Sequence, residues 1–233
     1  MTKQEVQVAV DPVLLTIRED QLQVLLIVRR HEPCKGELSF PGGFLWSTDN
    51  DLDAAAARKL ATETGLDTSD IHMEQLHAYG ARDRDPRGRV VAVAYLAIQP
   101  SVSDHASDTE AGRPNWHPVA SLLSGQVPLA FDHRRILADA VEAARRKLEH
   151  TTLATAFCPP RFTMADLRRV YEIVWGVGGL DPRNFHRKVL STKGFVVATR
   201  AKRQQANGRP ATLYRKASAQ AVTLYPPMLR ERY

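Results

Sequence analysis

The sequence predicts a two-domain protein, an α/β sandwich over residues 1–150 followed by a basic α+β domain over residues 151–233. Three observations predict it. Runs of strand character at 8–17, 21–30 and 89–98 are interleaved with an alanine-rich helical stretch, the pattern of a sheet covered by helices. The length of 233 residues exceeds the ordinary span of one domain, roughly 100–200 residues. The charge also changes sign along the chain: residues 151–233 carry 15 Lys and Arg against 4 Asp and Glu, a balance of +11, whereas residues 1–150 carry 17 against 22, a balance of −5. Halves of opposite sign imply different partners, and the basic half suits a polyanion such as nucleic acid.

In chain order, "VAVDPVLLTI" (8–17) and "QLQVLLIVRR" (21–30) read as β-rich runs joined by the short polar turn "REDQ". "DLDAAAARKLATETGL" (51–66) reads as a helix that Asp51 caps and Gly65 stops. "RVVAVAYLAI" (89–98) reads as a long buried strand. In "DHRRILADAVEAARRKLEH" (132–150) the apolar residues Ile136, Leu137, Ala140, Val141, Ala144 and Leu148 share one helix face. The small and hydroxylated stretch "TTLATAFCPPRF", which ends in Pro159 and Pro160 before Arg161, places a linker near 150–160.

Beyond it, "FTMADLRRVYEIVWG" (162–176) opens on Thr163 as a cap and carries Met164, Leu167, Val170, Tyr171 and Val174 on one apolar face. "LDPRNFHRKVL" (180–190) starts a second helix, with Asp181 as cap, Pro182 in the first turn and Phe185 and Val189 inward. That leaves Arg183, Asn184, His186, Arg187 and Lys188 on the other faces near the helix N-terminus, where a recognition helix keeps its base-reading residues. Two short β-type runs, "FVVAT" and "ATLYR", then flank a loop with Arg200, Lys202, Arg203 and Arg209. Helix followed by a hairpin with a basic tip is the order of a winged helix-turn-helix domain, whose wing takes phosphates or the minor groove. Two clear helices precede the wing where three are usual, so either 133–149 or the "VWGVGGL" region completes the set.

No signal peptide is visible in "MTKQEVQVAVDPVLLTI", and no apolar run approaches the roughly 18 residues of a membrane span. Cys34 and Cys158 are too far apart for a CxxC reading and are expected as free thiols. The expected location is the cytoplasm, at the nucleoid.

"FPGGF" at 40–44, followed by "R-x-L-x-x-E-T-G-L" from Arg58 to Leu66, resembles the Nudix hydrolase signature, G-x5-E-x7-R-E-U-x-E-E-x-G-U with U a bulky apolar residue. The resemblance covers roughly residues 8–148 and implies an α/β/α sandwich. In that signature, glutamates on one helix face hold Mg²⁺ against a diphosphate. Here Asn50, Lys59 and Thr62 stand on acid positions, Gly43 lies one residue too far upstream, and only Glu63 remains. One carboxylate beside an ammonium makes a poor Mg²⁺ site, so little or no pyrophosphatase activity is expected, with no catalytic residue and no metal. Lys59 is either a solvated helix lysine or a metal substitute that neutralises a diphosphate.

"GARDRDPRGR" (80–89) alternates Arg82, Arg84, Arg87 and Arg89 with Asp83 and Asp85, a pattern suited to pyrophosphate and ribose hydroxyls or to a solvated turn. "RDPRGRVVAVAYLAI" and "PLAFDHRRIL" resemble tracts of Nudix proteins that act on ADP-ribose, in which Phe131 stacks on adenine; plain core is its other reading. The resemblance makes Arg30, Phe44, Lys59, Glu63, Arg84, Asp85, Arg87, Phe131 and His133 the candidate ligand-binding residues.

"NFHRK" followed by "GRPATLYR" resembles the C-terminal domain of the Nudix-related transcriptional regulators of NAD metabolism, and with the Nudix half the resemblance spans nearly the whole chain. It implies a homodimeric repressor on a palindromic operator in double-stranded DNA, released by ADP-ribose or a relative, with no required cofactor. Arg183, Asn184, His186, Arg187, Lys188, Lys202, Arg203 and Arg209 are its candidate DNA contacts. Two rival readings stand beside it. One is an ADP-ribose pyrophosphatase with an atypical metal site among Glu63, Glu74 and Glu110. The other is an RNA-linked Nudix protein, for which 180–216 is short of stacking aromatics, holding only Phe185, Phe195 and Tyr214.

Overall fold

The computed structural model describes residues 5–69, 71–100, 114–204, 210–218, 222–228 and 230. Strands β1 (Gln7–Arg18) and β2 (Gln21–Val28) form an antiparallel hairpin around Glu19 and Asp20. Both turn residues are left-handed, at φ 49° and 58°, the backbone that matches a two-residue turn to twisted strands. Next come the short β3 (Leu38–Ser39) and β4 (Gly43–Phe44), helix α1 (Leu52–Thr64), β5 (His72–Tyr79), β6 (Val90–Ile98), β7 (Asn115–Pro118) and the five-residue helix α2 (Val119–Leu123). The seven-stranded sheet has the order β3-β2-β1-β6-β5, with β4 also on β1 and β7 on β2. β1 and β6 pair in parallel from Gln7↔Val90 to Leu15↔Ile98 and are buried over most of their length.

Helix α1 explains its alanines. Asp51 accepts from the Ala54 N–H at 2.7 Å, and Gly65, at φ 71°, donates its N–H to Ala61 O. Ala55 and Ala56 lie against Val10, Val93 and Tyr95, and Leu60 against Leu14, Leu25 and Ala97. Methyl-sized residues let the helix approach the sheet closely, and the Tyr95 hydroxyl donates back to Asp53 at 2.6 Å.

Two compact units divide the chain, Met1–Val141 and Glu142–Tyr233. Helix α3 (His133–His150) runs through the division, so the boundary falls inside the helix rather than at the linker expected near 150–160. The reason lies in the second half of α3. Arg145 Nε donates to Val174 O at 2.9 Å, Trp175 Nε1 to Arg145 O at 3.2 Å and the Tyr171 hydroxyl to Leu148 O at 3.1 Å. The expected linker is instead a 3-10 helix, Thr152–Phe157, with Thr152, Leu153, Ala154, Thr155 and Phe157 buried. Segment 222–228 is laced to it and to the end of α3: Thr152 N–H donates to Val222 O at 2.9 Å, Leu224 N–H to His150 O at 2.8 Å and Met228 N–H to Glu149 O at 2.7 Å.

The second unit continues with α4 (Met164–Trp175), α5 (Pro182–Ser191) and the hairpin β8 (Val196–Arg203) and β9 (Ala211–Lys216). Thr163 and Asp166 form a reciprocal capping box, and left-handed Gly176 ends α4. Tyr171 meets Trp175 and Phe185 edge-on at 4.7 and 5.3 Å, which makes the α4–α5 core. Of the two segments that could supply the third helix, the end of α3 does so, because "VWGVGGL" passes from the end of α4 into loop.

Candidate functional site

The first unit holds a cleft of about 340 Å³ between the ends of β1, β2 and β4, the 80–89 loop and the start of α3. Every residue expected to bind the ligand lines it except Lys59. Lys59 stands beside it: its Nζ is 3.5 Å from Glu63 Oε1, and a Cβ on Gly43 would come within 2.8 Å of that Nζ. Gly43 is required by its backbone, at φ 151°, and Gly42 by close packing, since a Cβ there would meet Val10 O at 2.5 Å. The two glycines of "FPGGF" therefore have local backbone reasons.

Beneath the cleft lies a buried polar network that the sequence did not announce. Arg84 is 8% exposed and donates to Asp132 through Nε at 3.1 Å and Nη2 at 2.7 Å, with Asp11 3.7 Å away. The Phe40 N–H donates to His133 Nδ1 at 3.2 Å, so the proton of the neutral ring is on Nε2, 3.8 Å from Asp11. Burial pushes the Asp11 carboxyl up to about 6 against the pull of Arg84. Burial, with the Arg84 and Arg29 charges, pushes His133 down to about 3. His133 is thus a neutral floor residue, stacked on Phe40 at 4.6 Å. Burial also raises Glu63 above the usual carboxylate range against the Lys59 ammonium.

The aromatic walls are Phe44 and Phe131. Phe131 takes the left-handed backbone at φ 54°, rare for a bulky residue and a mark of a constrained position. Arg29 lies over its ring at 4.7 Å, and Arg87 lies 5.5 Å from that ring and 4.7 Å from Phe44. Asp85, 4% exposed, holds Arg87 from both ends, through its backbone N–H at 3.0 Å and its Nη2 at 2.6 Å. Arg30 is an exposed lining residue, whereas its neighbour Arg29 is half-buried. Strand alternation beyond Ile27 turns 29 inward and 30 outward, a signal that was available and pointed to Arg29.

In the second unit, Arg183, Asn184, His186 and Arg187 are exposed on α5, Lys188 is half-exposed, and Phe185 and Val189 are buried. Asn184 N–H is capped by Asp181 at 2.7 Å, and Arg187 Nη2 donates to Asn184 Oδ1 at 3.0 Å. His186 Nε2 is 3.4 Å from the Tyr214 hydroxyl of β9, which ties the helix to the hairpin. Lys202 is exposed, but Arg203 pairs with Asp166 of the capping box at 2.8 Å. Arg209 and Glu110 lie outside the described residues. Glu74, on β5 beside His72 at 3.8 Å, does not line the cleft with Glu63.

Residues 8–140 match the NUDIX domain family, and residues 154–216 match the NrtR DNA-binding winged helix domain. The "ADPR responsive transcriptional repressor NtrR" of Acinetobacter baylyi is 34% identical over 221 residues, 94% of this chain and 86% of that one. The chain belongs to the NrtR family. Shewanella oneidensis NrtR complexed with a 27mer DNA superposes with a TM-score of 0.76 at 32% identity, over 91% of this chain and 94% of that one. The NUDIX domain of Shewanella oneidensis NrtR complexed with ADP ribose superposes with a TM-score of 0.55 at 34% identity, over 60% of this chain and 90% of that one.

In this NrtR family member the Nudix helix departs from a Mg²⁺ site in its chemistry. Asn50 and Thr62 are exposed, the Thr62 hydroxyl donates to Lys59 O at 3.4 Å, and the Lys59 ammonium takes the space beside Glu63. Arg58 is held by Asp49 through two 2.6 Å bonds and covers the Trp46 ring at 4.0 Å. Among the described residues no group of three His, Cys, Asp or Glu side chains is placed to hold a metal. These residues do not fit Mg²⁺, which needs several oxygen ligands in octahedral array. Nor is any helix among the described residues long and apolar enough to cross a membrane.

Proposed function

We propose that this protein is a DNA-binding transcriptional repressor of NAD biosynthesis or salvage genes. Its Nudix unit binds ADP-ribose, or a related nucleotide diphosphate, without hydrolysing it, and the bound nucleotide weakens DNA binding. The observation that carries the reading is Lys59: an ammonium stands on an acid position of the Nudix helix, 3.5 Å from Glu63, in a chain whose other half is an NrtR winged helix. A fixed cation beside a cleft with Arg29 and Arg87 attracts a diphosphate but activates no water, whereas a Nudix metal does both. The name of the Acinetobacter relative and the DNA-bound and ADP-ribose-bound Shewanella structures support both halves of the proposal.

On DNA, α5 is the recognition helix and β8–β9 the wing. Arg183, Asn184, His186, Arg187 and Lys188 meet the major groove, and Lys202 and Arg209 meet phosphates or the minor groove. The protein acts as a homodimer in the cytoplasm, two recognition helices meeting a palindrome about one turn apart. No metal is required. Selection of genomic fragments by the purified full chain at fixed salt, with and without ADP-ribose, tests the whole reading. A palindrome that ADP-ribose releases is expected, and failure to enrich any fragment rejects the repressor.

A further inference from the structure

Four arginines line the cleft, Arg29, Arg30, Arg84 and Arg87; Arg30 is exposed, and the partners of the other three differ. Arg84 lines the floor but is spent on Asp132 by two bonds and lies 3.7 Å from Asp11. Arg87 is matched by Asp85, which takes both Nε, at 3.0 Å, and Nη2, at 2.6 Å. Arg29 has no carboxylate at ion-pair distance among the described residues; its side chain gives one bond, Nε to Pro33 O at 2.9 Å. That bond fixes the guanidinium while its two Nη groups keep their donors, and the Phe131 ring backs the plane at 4.7 Å. A half-buried guanidinium pinned at Nε, stacked on a ring and lacking an anion is built to receive one, since the fork matches two oxygens of a phosphate. Arg87 shares the same ring at 5.5 Å, so two positive charges crowd one part-buried place, an arrangement that an anion between them relieves.

We propose that Arg29 is the principal diphosphate-binding residue of the cleft, with Arg87 second, and that Arg84 positions the floor without meeting the ligand. The inference rests on the reading of the cleft as a nucleotide diphosphate site, and it moves ligand contacts from the candidates Arg30 and Arg84 to Arg29. Arg84 is then a positioning residue: its guanidinium neutralises Asp132 and Asp11 and so holds β1, the 80–89 loop and the start of α3 in one frame.

The test is calorimetric titration of the full chain with ADP-ribose, inorganic pyrophosphate and adenosine, for wild type, Arg29→Gln, Arg29→Lys, Arg30→Gln and Arg84→Gln, with thermal melts alongside. Arg29→Gln is expected to weaken ADP-ribose and pyrophosphate by at least about 10- to 150-fold, the span of one charged hydrogen bond. Its melt and its adenosine affinity stay as in wild type. Arg29→Lys recovers part of the loss, Arg30→Gln stays within about two-fold, and Arg84→Gln lowers the melt. Arg29→Gln within about two-fold of wild type for pyrophosphate overturns the proposal, and so does an equal loss for adenosine. If wild type binds pyrophosphate through Arg29 but not ADP-ribose, the residue assignment holds and the effector reading falls. If wild type binds neither, both fall.

Discussion

Asp11 and His133 are buried 3.8 Å apart under the cleft and titrate in opposite directions on folding, so together they flatten the acid limb of the first unit's stability. Asp11 goes from an ordinary 3.8 to about 6, and His133 from 6.5 to about 3. Between about pH 4 and 6 the unfolded histidine is protonated and the folded one is not. That term makes the fold gain about 1.4 kcal/mol per pH unit as pH rises, and lose it on acidification. Over the same window the folded Asp11 holds a proton that the unfolded one has released, a term of equal size and opposite sign, lost as pH rises through about 6. The two cancel in wild type. Asp11→Asn deletes one of them, so the variant's stability is expected to fall toward acid by about 1.4 kcal/mol per unit more steeply than wild type. The absolute offset at neutral pH also includes broken contacts to Arg84 and His133, but the slope difference does not. Hydrogen exchange of the β1 and β6 amides from pH 4 to 6 reads the first unit alone. Parallel slopes for the variant and wild type would refute the assignment of protons to this pair.

Incubation of the full chain with ADP-ribose and excess Mg²⁺ is expected to release no AMP, and chelation is expected to leave ADP-ribose affinity unchanged, because Lys59 pairs with Glu63, the one acid left on the signature positions. Lys202→Gln, on the exposed wing, should weaken binding to all DNA sequences alike and lower the salt slope by about one phosphate contact, read by titration at several salt concentrations. Asn184→Ala or Arg187→Ala should instead relax sequence preference, by about 1–3 kcal/mol per lost base contact, seen as unequal loss across operator variants. Leu60→Ala, at the α1–sheet contact, should cost about 2–5 kcal/mol in urea unfolding while leaving DNA binding by folded protein intact.

What the sequence made legible was local. Asp51, Gly65, Thr163, Asp181 and Pro182 act at their helix ends as their types dictate, because a cap is decided within four residues. The long buried strands were legible for a similar reason, since their burial on both faces leaves a continuous apolar run. Strand β5 was not: its pattern of half-buried and exposed residues, with a bulge between Gln75 and His77, breaks the alternation by which an edge strand is recognised. The 3-10 helix 152–157 read as a linker because its buried threonines look polar in sequence, and only pairing reveals them: the Thr152 hydroxyl accepts from Val222 N–H at 3.0 Å, seventy residues away. The same limit hid Asp11 and the difference in pairing between Arg29 and Arg84. A charge's role depends on which carboxylates the fold brings near it, and nothing in "VRRHEP" tells that Arg84 is paired twice and Arg29 not at all among the described residues.

A hydrolase and a sensor make opposite demands on one cleft. Turnover needs interactions that strengthen as the diphosphate breaks, and in a Nudix site the metal ions supply them by binding the attacking water and the developing charge together. A sensor needs ground-state affinity that lasts, since a ligand consumed on binding reports its own disappearance. Fixed cations meet that demand. In the proposed site, guanidiniums at Arg29 and Arg87 and the ammonium at Lys59 would attract the diphosphate at full charge, and none of them lowers the pKa of a water. The Lys59–Glu63 pair goes further, because it occupies the last carboxylate of the box with an internal cation. Glu63, so paired, is a weaker ligand for a metal and a smaller negative charge against the proposed ligand. On the reading proposed above, Lys59 adds to the acids already missing at Asn50 and Thr62, disfavouring the ion and removing one source of repulsion together. On that reading the frame outlasts its chemistry, because the strands, the two glycines and the arginines serve binding while the acids of the signature serve hydrolysis.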